Sequence, residues 1–431
     1  MTRLEEMLAW LESARDRDAI KIVTGVRGCG KSHLLTCYVE RLLAAGVPRA
    51  NILTFNFEHP TRQRIHTPEE LLQYIDAMVP PEGRVYLLLD EIFELREFEV
   101  ALGVLFGMKR LDIVATCSKT RPLTGRFREY LDGKYLHREM LLPSFAEFPM
   151  SRRQPFRKRL SAYFRFGAMP YTFGLHSDLT RLHLYLEGLW NTILVKDILT
   201  RNRLADSRLT ERLLEYVFSH LGESTSLRKV AAEAKIEGHE AAPNTVESYL
   251  TACDESMLVR KIPKMDVFTG EMLKVGYRFY LADLAIGGNR FGVAKVSAEM
   301  ALRNLVFQEL RGEQDQVYCG RCDGLDFDFV TKQGSKCRCW HYLHNLEKDE
   351  VPRSLQKLLR AIPRETEKTL IVRTQRPQHV PDDVEVLTLE QFLLARKKKS
   401  SNFGGGAFLI DDLTQEVPTH VQEKRMHSRR G

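Results

Sequence analysis

The sequence predicts an α/β protein built on a parallel sheet, and three observations support this class. Strand-like and helical patterns alternate through the first ~150 residues, which is typical of parallel strands joined by crossover helices. The first strand-like run is followed by a glycine-rich loop at residues 25–32 and then by a helical pattern. A later apolar run ends in adjacent carboxylates, Asp90 and Glu91. Together, the loop and the two acids indicate a nucleoside-triphosphate site at one edge of the sheet.

The first domain, residues 1–150, is expected to contain five strands. They are predicted at residues 21–24, 51–57, 85–90, 112–115 and 135–142, with helices between them. A basic stretch at residues 151–159 follows, either as a linker or as the exposed start of a helix.

Three further segments and a tail are predicted beyond the first domain. Residues 151–222 form a helical connector, and residues 223–290 a winged helix-turn-helix-like segment whose second helix is capped by Asn244. That helix contains Glu247 and no Lys or Arg, so a connecting role is favoured over DNA reading, with Arg260, Lys261 and Lys264 as the remaining basic candidates. Residues 291–395 are predicted to form a second α/β block, in which a helix is followed along the chain by three strands, a helix and a strand. Residues 396–431 lack periodicity and are expected to be a disordered tail.

Composition narrows the class of protein. The 431 residues suffice for two or three domains, and the net charge of +7 permits a nucleic-acid partner without requiring one. No apolar run approaches the ~20 residues that span a bilayer. The acidic N-terminus does not resemble a secretory signal, so we expect a cytoplasmic protein with no membrane partner. The eight cysteines are then expected to be reduced thiols or metal ligands before disulfides.

The glycine-rich loop matches a complete phosphate-binding motif. Its glycines let successive amides converge on phosphate oxygens, Lys31 can reach the β and γ oxygens, and the Ser32 hydroxyl can ligate Mg²⁺. The helix that follows adds positive potential at its N-terminus. A chance glycine-rich turn is the alternative. The predicted nucleotide-binding residues are Gly25, Val26, Arg27, Gly28, Cys29, Gly30, Lys31, Ser32 and His33.

The paired acids complete the predicted site. Asp90 can hold the Mg²⁺ shell, and Glu91 can polarise the water that attacks the γ-phosphate. Asn56, Thr116 and Ser118 end neighbouring strands, where each could contact that water or Glu91. The alternatives are two surface acids, and strand-end residues that bond only to their own turns.

The residues that carry this chemistry resemble a bacterial and archaeal AAA-type ATPase family whose members share a C-terminal domain of unknown function. The matching segments cover about residues 1–395 of the chain. They are residues 24–32, 56–58, 89–92, 112–118, 133–134 and 144–147, and, more weakly, 166–171, 191–198, 280–284, 304–310 and 326–330. The resemblance implies ATP as the nucleotide, an AAA-type core, a winged-helix segment, a C-terminal fold similar to the PD-(D/E)xK nucleases, and an oligomer with sites between subunits.

Three positions depart from the pattern of that family. Lys134 replaces the usual arginine of a Gly-Arg pair, which weakens an arginine-finger role because an ammonium lacks the planar fork. Phe93 replaces a glutamine, and Arg303 replaces an acid.

Two metal sites can be considered in the second half. Asp326 and Asp328 share a strand face and could hold a nuclease metal. The next strand, residues 336–342, supplies no acid, so we favour a retired scaffold, that is, a nuclease-like fold that has lost its activity. Four thiols, Cys319, Cys322, Cys337 and Cys339, could instead close a tetrahedral zinc site. Ordinary strand cysteines are the favoured interpretation.

The sequence thus predicts a Mg²⁺-dependent ATPase that acts as a molecular switch for its C-terminal domains, with DNA or a protein as partner. The alternatives are a nucleotide-sensing protein that hardly hydrolyses and, less favoured, a metal-dependent nuclease.

Overall fold

The computed structural model describes residues 2–58, 65–119, 126–151, 153–234, 241–313, 316–334, 336–346 and 350–394. The predicted tail at residues 396–431 lies outside the described residues. Within the described ranges, no helix combines the length and the apolar character needed to cross a membrane.

The first sheet has five parallel strands in the order β2-β3-β4-β1-β5. Its strands are β1 (Ile20–Thr24), β2 (Ile52–Asn56), β3 (Val85–Asp90), β4 (Leu111–Cys117) and β5 (Tyr135–Glu139). Its helices are α1 (Arg3–Ser13), α2 (Lys31–Ala44), α3 (Pro68–Met78), α4 (Phe98–Gly107) and α5 (Arg126–Leu131). Every residue of β1, β3 and β4 is buried, because helices cover both faces of the sheet. The predicted parallel α/β fold is confirmed.

A helical region follows the first sheet. It contains α6 (Phe156–Phe166), α7 (Leu179–Thr192), a π-helical stretch (Ile193–Thr200), α8 (Ser207–Ser219), α9 (Leu227–Ala234) and α10 (Pro243–Glu255). The basic stretch therefore includes the start of a helix, with Arg157 and Lys158 exposed and Arg159 buried over the ring of Phe145 at 5.0 Å. The predicted Asn244 cap is wrong: Ala242 is the N-cap, since Pro243 takes the first helical position.

The second sheet has seven strands in the order β12-β11-β10-β9-β8-β6-β7. The strands are β6 (Val259–Asp266), β7 (Met272–Leu281), β8 (Gln316–Cys322), β9 (Leu325–Gln333), β10 (Lys336–Leu343), β11 (Glu367–Val372) and β12 (Val384–Thr388). Helices α11 (Leu284–Phe291), α12 (Ala298–Glu313), α13 (Arg353–Ala361) and α14 (Leu389–Leu394) complete this part. Short 3₁₀ turns lie at Arg49–Asn51, Ile92–Glu94, Phe145–Glu147, Pro170–Gly174 and Val293–Lys295. Because β6 pairs with β8, the hairpin of the predicted winged-helix segment continues the sheet of residues 291–395.

The four cysteines of the second sheet do not converge on a metal. Cys319 packs in the aromatic core on one face of the sheet, with Phe307 and Phe329, whereas Cys322, Cys337 and Cys339 pack on the other face. Residues three apart on a strand point to opposite faces, so the CxxC spacing on β8 separates its two thiols. No cluster of three or more His, Cys, Asp or Glu side chains suited to a metal occurs among the described residues. This geometry does not support the four-thiol zinc site considered as an alternative, although Cys337 and Cys339 share a face.

The carboxylates considered for a nuclease site are paired with cations of the chain. Asp328 lies on a β-bulge, since Tyr318 pairs with Val330 while Gly320 pairs with Phe327. Its buried carboxylate lies 3.1 Å from Arg278 and 3.0 Å from Arg303, the residue that replaces the acid of the family pattern. Burial would raise the pKa of Asp328, but these guanidinium groups and His341 hold it below its usual range.

Asp326 pairs with the Lys264 ammonium at 2.6 Å. On the neighbouring strand, Trp340 and Tyr342 fill the aromatic core instead of offering an acid and a lysine. These contacts favour the retired-scaffold interpretation over an active nuclease.

A partly buried charge cluster joins the first sheet to the second part of the chain. Glu139, at the end of β5, contacts Arg260 of β6 and lies 2.6 Å from Arg311 of α12. Burial alone would raise the pKa of Glu139, but the two guanidinium groups lower it to about 2. The carboxylate therefore stays ionised and connects strands that are distant in sequence.

We predict that Glu139→Gln destabilises the protein by about 3 kcal/mol at neutral pH, because two largely buried guanidinium groups lose their counter-charge. The folded pKa lies below the ordinary value of 4.5, so the stabilisation is complete above that pH and is lost as the pH falls toward 2. Urea unfolding of both proteins at several pH values measures this: the difference between them should shrink on acidification. A constant difference across that range would contradict the assigned role.

Candidate nucleotide-binding site

The carboxyl ends of four parallel strands converge on the glycine-rich loop. The loop connects β1 to α2, and Gly28 and Gly30 adopt φ of 83° and 107°, a region that glycine enters without steric cost. At Gly25 a Cβ atom would stand 2.7 Å from the Met140 carbonyl oxygen, so the loop packs closely against the chain after β5. The side chains of Val26 and Cys29, both in the loop, are buried and support its shape.

Lys31 is buried and carries the charge of the site. Its Nζ donates to the Gly25 carbonyl at 2.9 Å and to Ser118 Oγ at 2.8 Å, and it lies 3.2 Å from a carboxylate oxygen of Glu91. Burial would lower the pKa of Lys31, but the negative charge of Glu91 raises it above its ordinary value. The ammonium is therefore charged and paired, and a triphosphate would compete with Glu91 for it.

Glu91 is held rigidly as an ionised carboxylate. Its backbone is left-handed, with φ of 54°, a conformation that costs a non-glycine residue about 1–2 kcal/mol. Its side chain accepts hydrogen bonds from the Ser118 amide at 3.0 Å and the Ser118 hydroxyl at 2.5 Å. Burial would raise the pKa of Glu91, but Lys31 and the Ser118 hydroxyl hold it below its usual range. The arrangement provides a fixed proton acceptor beside the phosphate loop.

The Asp90 carboxylate is hydrogen-bonded to three polar side chains. It accepts hydrogen bonds from Ser32 Oγ at 2.7 Å, Thr116 Oγ1 at 2.6 Å and Asn56 Nδ2 at 2.8 Å. Burial dominates and raises the pKa of Asp90 above its ordinary value. Thr116 Oγ1 also accepts a hydrogen bond from the Glu91 amide at 3.0 Å, so this hydroxyl links the two acids. Thus Asn56 and Thr116 act on Asp90, and Ser118 on Glu91.

The oxygen set around Ser32 and Asp90 fits Mg²⁺. Magnesium in phosphate-transfer sites binds one or two carboxylates, substrate phosphates and water, and does not need a cage of protein ligands. A cleft of about 510 Å³ opens beside these two residues and is lined by Asn56, Thr36 and Arg49 among others. The chain can therefore supply a hydroxyl and a carboxylate to an Mg–nucleotide complex.

Two predicted residues lie away from these contacts. His33 is exposed on the first turn of α2, beside Cys37. Lys134 lies at the opposite edge of the sheet, where its carbonyl accepts the Ile20 amide at the start of β1. Its Nζ donates to the Tyr130 carbonyl at 3.1 Å. Lys134 therefore lies far from the phosphate loop of its own chain, because β1 carries the loop at its other end.

Arg27 of the phosphate loop makes the contact that sequence reasoning missed. Its Nε and Nη2 atoms lie 2.6 and 2.9 Å from the two carboxylate oxygens of Asp197, which is 1% exposed in the π-helical stretch. Arg27 also lies 2.9 Å from Glu58, which follows β2. The sequence around Asp197 gives no signal that this residue reaches the phosphate loop.

The other loops at this edge contact the same region, residues 193–202, which we call the contact segment. Glu58 pairs with Lys196, Glu94 after β3 pairs with Arg201, and Lys119 after β4 donates to Asn202 at 3.2 Å. Helix α7, which leads into the segment, covers the loop: a Cβ at Gly28 would stand 3.3 Å from Tyr185 Oη. Four loops of the site therefore share one neighbour.

Comparison with known proteins finds family models that match two stretches of the chain. Residues 17–149 match the family model of the AAA domain, and residues 157–296 match that of a domain of unknown function (DUF8612). An uncharacterized protein of Haemophilus influenzae is 25% identical over 402 residues, which cover 91% of this chain and 99% of that protein. The AAA match confirms the predicted P-loop ATPase-type domain. The contact segment belongs to the second matched region.

Solved structures align with low scores. The Drosophila ORC structure bound to DNA is 14% identical and covers 67% of this chain and 85% of its own, with a TM-score of 0.29. A DNA replication initiation factor is 14% identical and covers 57% of this chain and 85% of its own, with a TM-score of 0.28. PCH-2 of C. elegans is 13% identical and covers 58% of this chain and 68% of its own, with a TM-score of 0.27. At such TM-scores they assign neither a partner nor a reaction to this chain.

We predict that Lys31→Ala weakens ATP–Mg²⁺ binding by roughly 100-fold, because one buried charge-assisted contact of about 3 kcal/mol is lost. Isothermal titration calorimetry measures the affinity. Lys109→Ala is the matched control, since Lys109 is an exposed cation of the same domain that pairs with Asp18 at the surface. Unchanged binding by a folded Lys31→Ala protein would reject this site.

Proposed function

We propose that the protein is an ATP-dependent molecular switch: it binds and hydrolyses ATP at the phosphate loop, and the state of the nucleotide acts on the C-terminal region through the contact segment. The observation that carries this proposal is the convergence of Arg27, Glu58, Glu94 and Lys119, one from each loop of the site, on residues 193–202.

In the binding step, loop amides and Lys31 would hold the β and γ phosphates. Ser32 and Asp90 would hold Mg²⁺, which neutralises phosphate charge when bound. ATP is assigned as the nucleotide from the AAA match, since no residue that reads a base is evident.

In the hydrolytic step, Glu91 would accept a proton from the attacking water. Ser118 fixes the carboxylate of Glu91 with two hydrogen bonds, and Thr116 fixes its backbone. These contacts are already formed, so the base needs little reorganisation at the moment of reaction.

In the transmission step, the charge balance between the contact segment and the loops of the site changes. Three cations, Arg27, Lys196 and Arg201, face three carboxylates, Glu58, Asp197 and Glu94. A triphosphate beside Arg27 adds negative charge to this balanced set and offers Arg27 an anionic partner besides Asp197 and Glu58. Weakening of the Arg27–Asp197 contact would release the contact segment, and hydrolysis would restore it.

A second candidate function is nucleotide-dependent binding with little turnover. Two observations favour it: Lys134 lies at the far edge of the sheet, and Phe93 packs against Phe98 at 4.1 Å between ring centroids. Neither residue adds a polar group to the site.

We predict that Glu91→Gln lowers the steady-state rate of ATP hydrolysis by about 100-fold or more while ATP still binds, since the base is lost but Lys31 and the loop remain. Phosphate release and calorimetry measure the two quantities. Glu69→Gln, an exposed carboxylate of α3, is the control. If the Glu91→Gln protein hydrolyses ATP as fast as the wild type, Glu91 is not the base. If the wild-type protein binds ATP but does not hydrolyse it, the second function is supported instead.

We also predict that Asp197→Asn uncouples the contact segment from the nucleotide. In the wild type, a non-hydrolysable ATP analogue with Mg²⁺ should change amide hydrogen exchange in residues 193–202. In the variant, the change should disappear while affinity for the analogue is retained, because the substitution removes charge but little volume. Glu187→Gln of α7, whose carboxylate faces His183, is the control. A full nucleotide response in the Asp197→Asn protein would be inconsistent with transmission through Arg27.

A further inference from the structure

One exposed surface of the second sheet carries regularly spaced positive charge. Helix α13 presents Arg353, Lys357 and Arg360 to solvent, and Arg364 follows just beyond its end. We call these four residues the basic stripe. Their spacings of four, three and four residues match the helical repeat, so the three helical cations lie on one face. Within the described ranges, no stripe residue has a carboxylate within ion-pair distance.

The helix is fixed in place by its other face. Leu355, Leu358 and Leu359 are 6%, 3% and 3% exposed and pack in the core between α13 and the sheet. The apolar face is therefore committed to the protein and cannot enter a lipid bilayer, as a membrane-surface helix would require. The positive charge is presented on a rigid support.

The dimensions of the stripe suit a phosphate backbone. Arg353 and Arg360 are seven residues apart, or about 10 Å along a helix. Phosphates of one DNA strand repeat every ~3.4 Å along the duplex axis, so three cations can each meet a phosphate over this length. Binding of single strands depends on aromatic platforms. Phe392 carries the only phenyl, phenol or indole ring within residues 350–394, and it is buried. A duplex is thus favoured.

Residues of both signs flank this surface. Lys332 pairs directly with Cys337, which packs on the α13 side of the sheet, and so lies on the same face. Glu365 follows Arg364 in the chain, and Asp383 lies within electrostatic range of Arg364. Asp383, however, is engaged by the Lys368 ammonium at 2.6 Å. The α13 portion of the stripe has no acidic residue of its own.

We propose that the basic stripe binds the sugar-phosphate backbone of duplex DNA without reading its sequence. The recognising chemistry is contact between the guanidinium and ammonium groups and successive phosphates of one strand. This interaction surface does not depend on the switch proposed above, since it uses no residue of the nucleotide site.

The test uses the full chain and a fluorescein-labelled DNA duplex of arbitrary sequence, with fluorescence anisotropy measured from about 50 to 200 mM salt. The variant is the triple substitution Arg353→Ala, Lys357→Ala and Arg360→Ala. We expect affinity to fall about tenfold or more and the slope of log affinity against log salt to drop by about 2 to 3, because each lost phosphate contact removes ~0.9. The substituted side chains are exposed, and thermal unfolding confirms that the variant remains folded.

The matched control removes the same charge elsewhere: Arg157→Ala, Lys158→Ala and Arg165→Ala on α6, which are also exposed. This control should keep the affinity and the salt slope of the wild type. Equal losses in both triple variants, or no binding of duplex DNA by the wild type, overturn the proposal. So does tighter binding, by the wild type, of RNA duplexes or phosphatidylserine vesicles than of DNA.

Discussion

The buried ion pair between Lys31 and Glu91 is the interaction on which the rest of the site depends. An ammonium and a carboxylate removed from water are each costly unless they face one another, and here they lie 3.2 Å apart. The pair keeps both groups ionised, and that state is what a phosphate anchor and a general base require. Ser118 contacts both partners, so one hydroxyl at the end of β4 fixes their relative position.

Local patterns were enough to find the strands and the acids around that pair. Strands β1, β3 and β4 carry apolar runs, and the loop at residues 25–32 specifies the turn and helix that follow it. Because parallel strands end at one edge, Asn56, Asp90 and Ser118 could be placed together from sequence. Asp197 could not, since it is 170 residues from Arg27 and lies in a π-helical stretch. A charge in an amphipathic helix resembles a solvated one until its neighbours are known.

Two features of the second half cannot be predicted from local sequence. The CxxC spacing permits a shared metal, but β8 extends through Cys322, and strand alternation sends Cys319 and Cys322 to opposite faces. The pairing of β6 with a strand of the following block is not evident either, because pairing between distant strands leaves no periodic signal within either strand. Only the contact of β6 with β8 reveals one continuous sheet.

Two of the polar contacts that join the halves of the chain differ in a way that bears on how a switch could operate. The Glu139 cluster with Arg260 and Arg311 uses no side chain of the phosphate loop, so a bound triphosphate offers its members no alternative partner. The Arg27–Asp197 contact does involve the loop, and its charges are balanced before a triphosphate arrives. Under the proposed switch, the first set would hold the halves together through the cycle while the second yields. Movement would then be a local release of residues 193–202 rather than separation of the domains, because only the second set competes with phosphate for its cation.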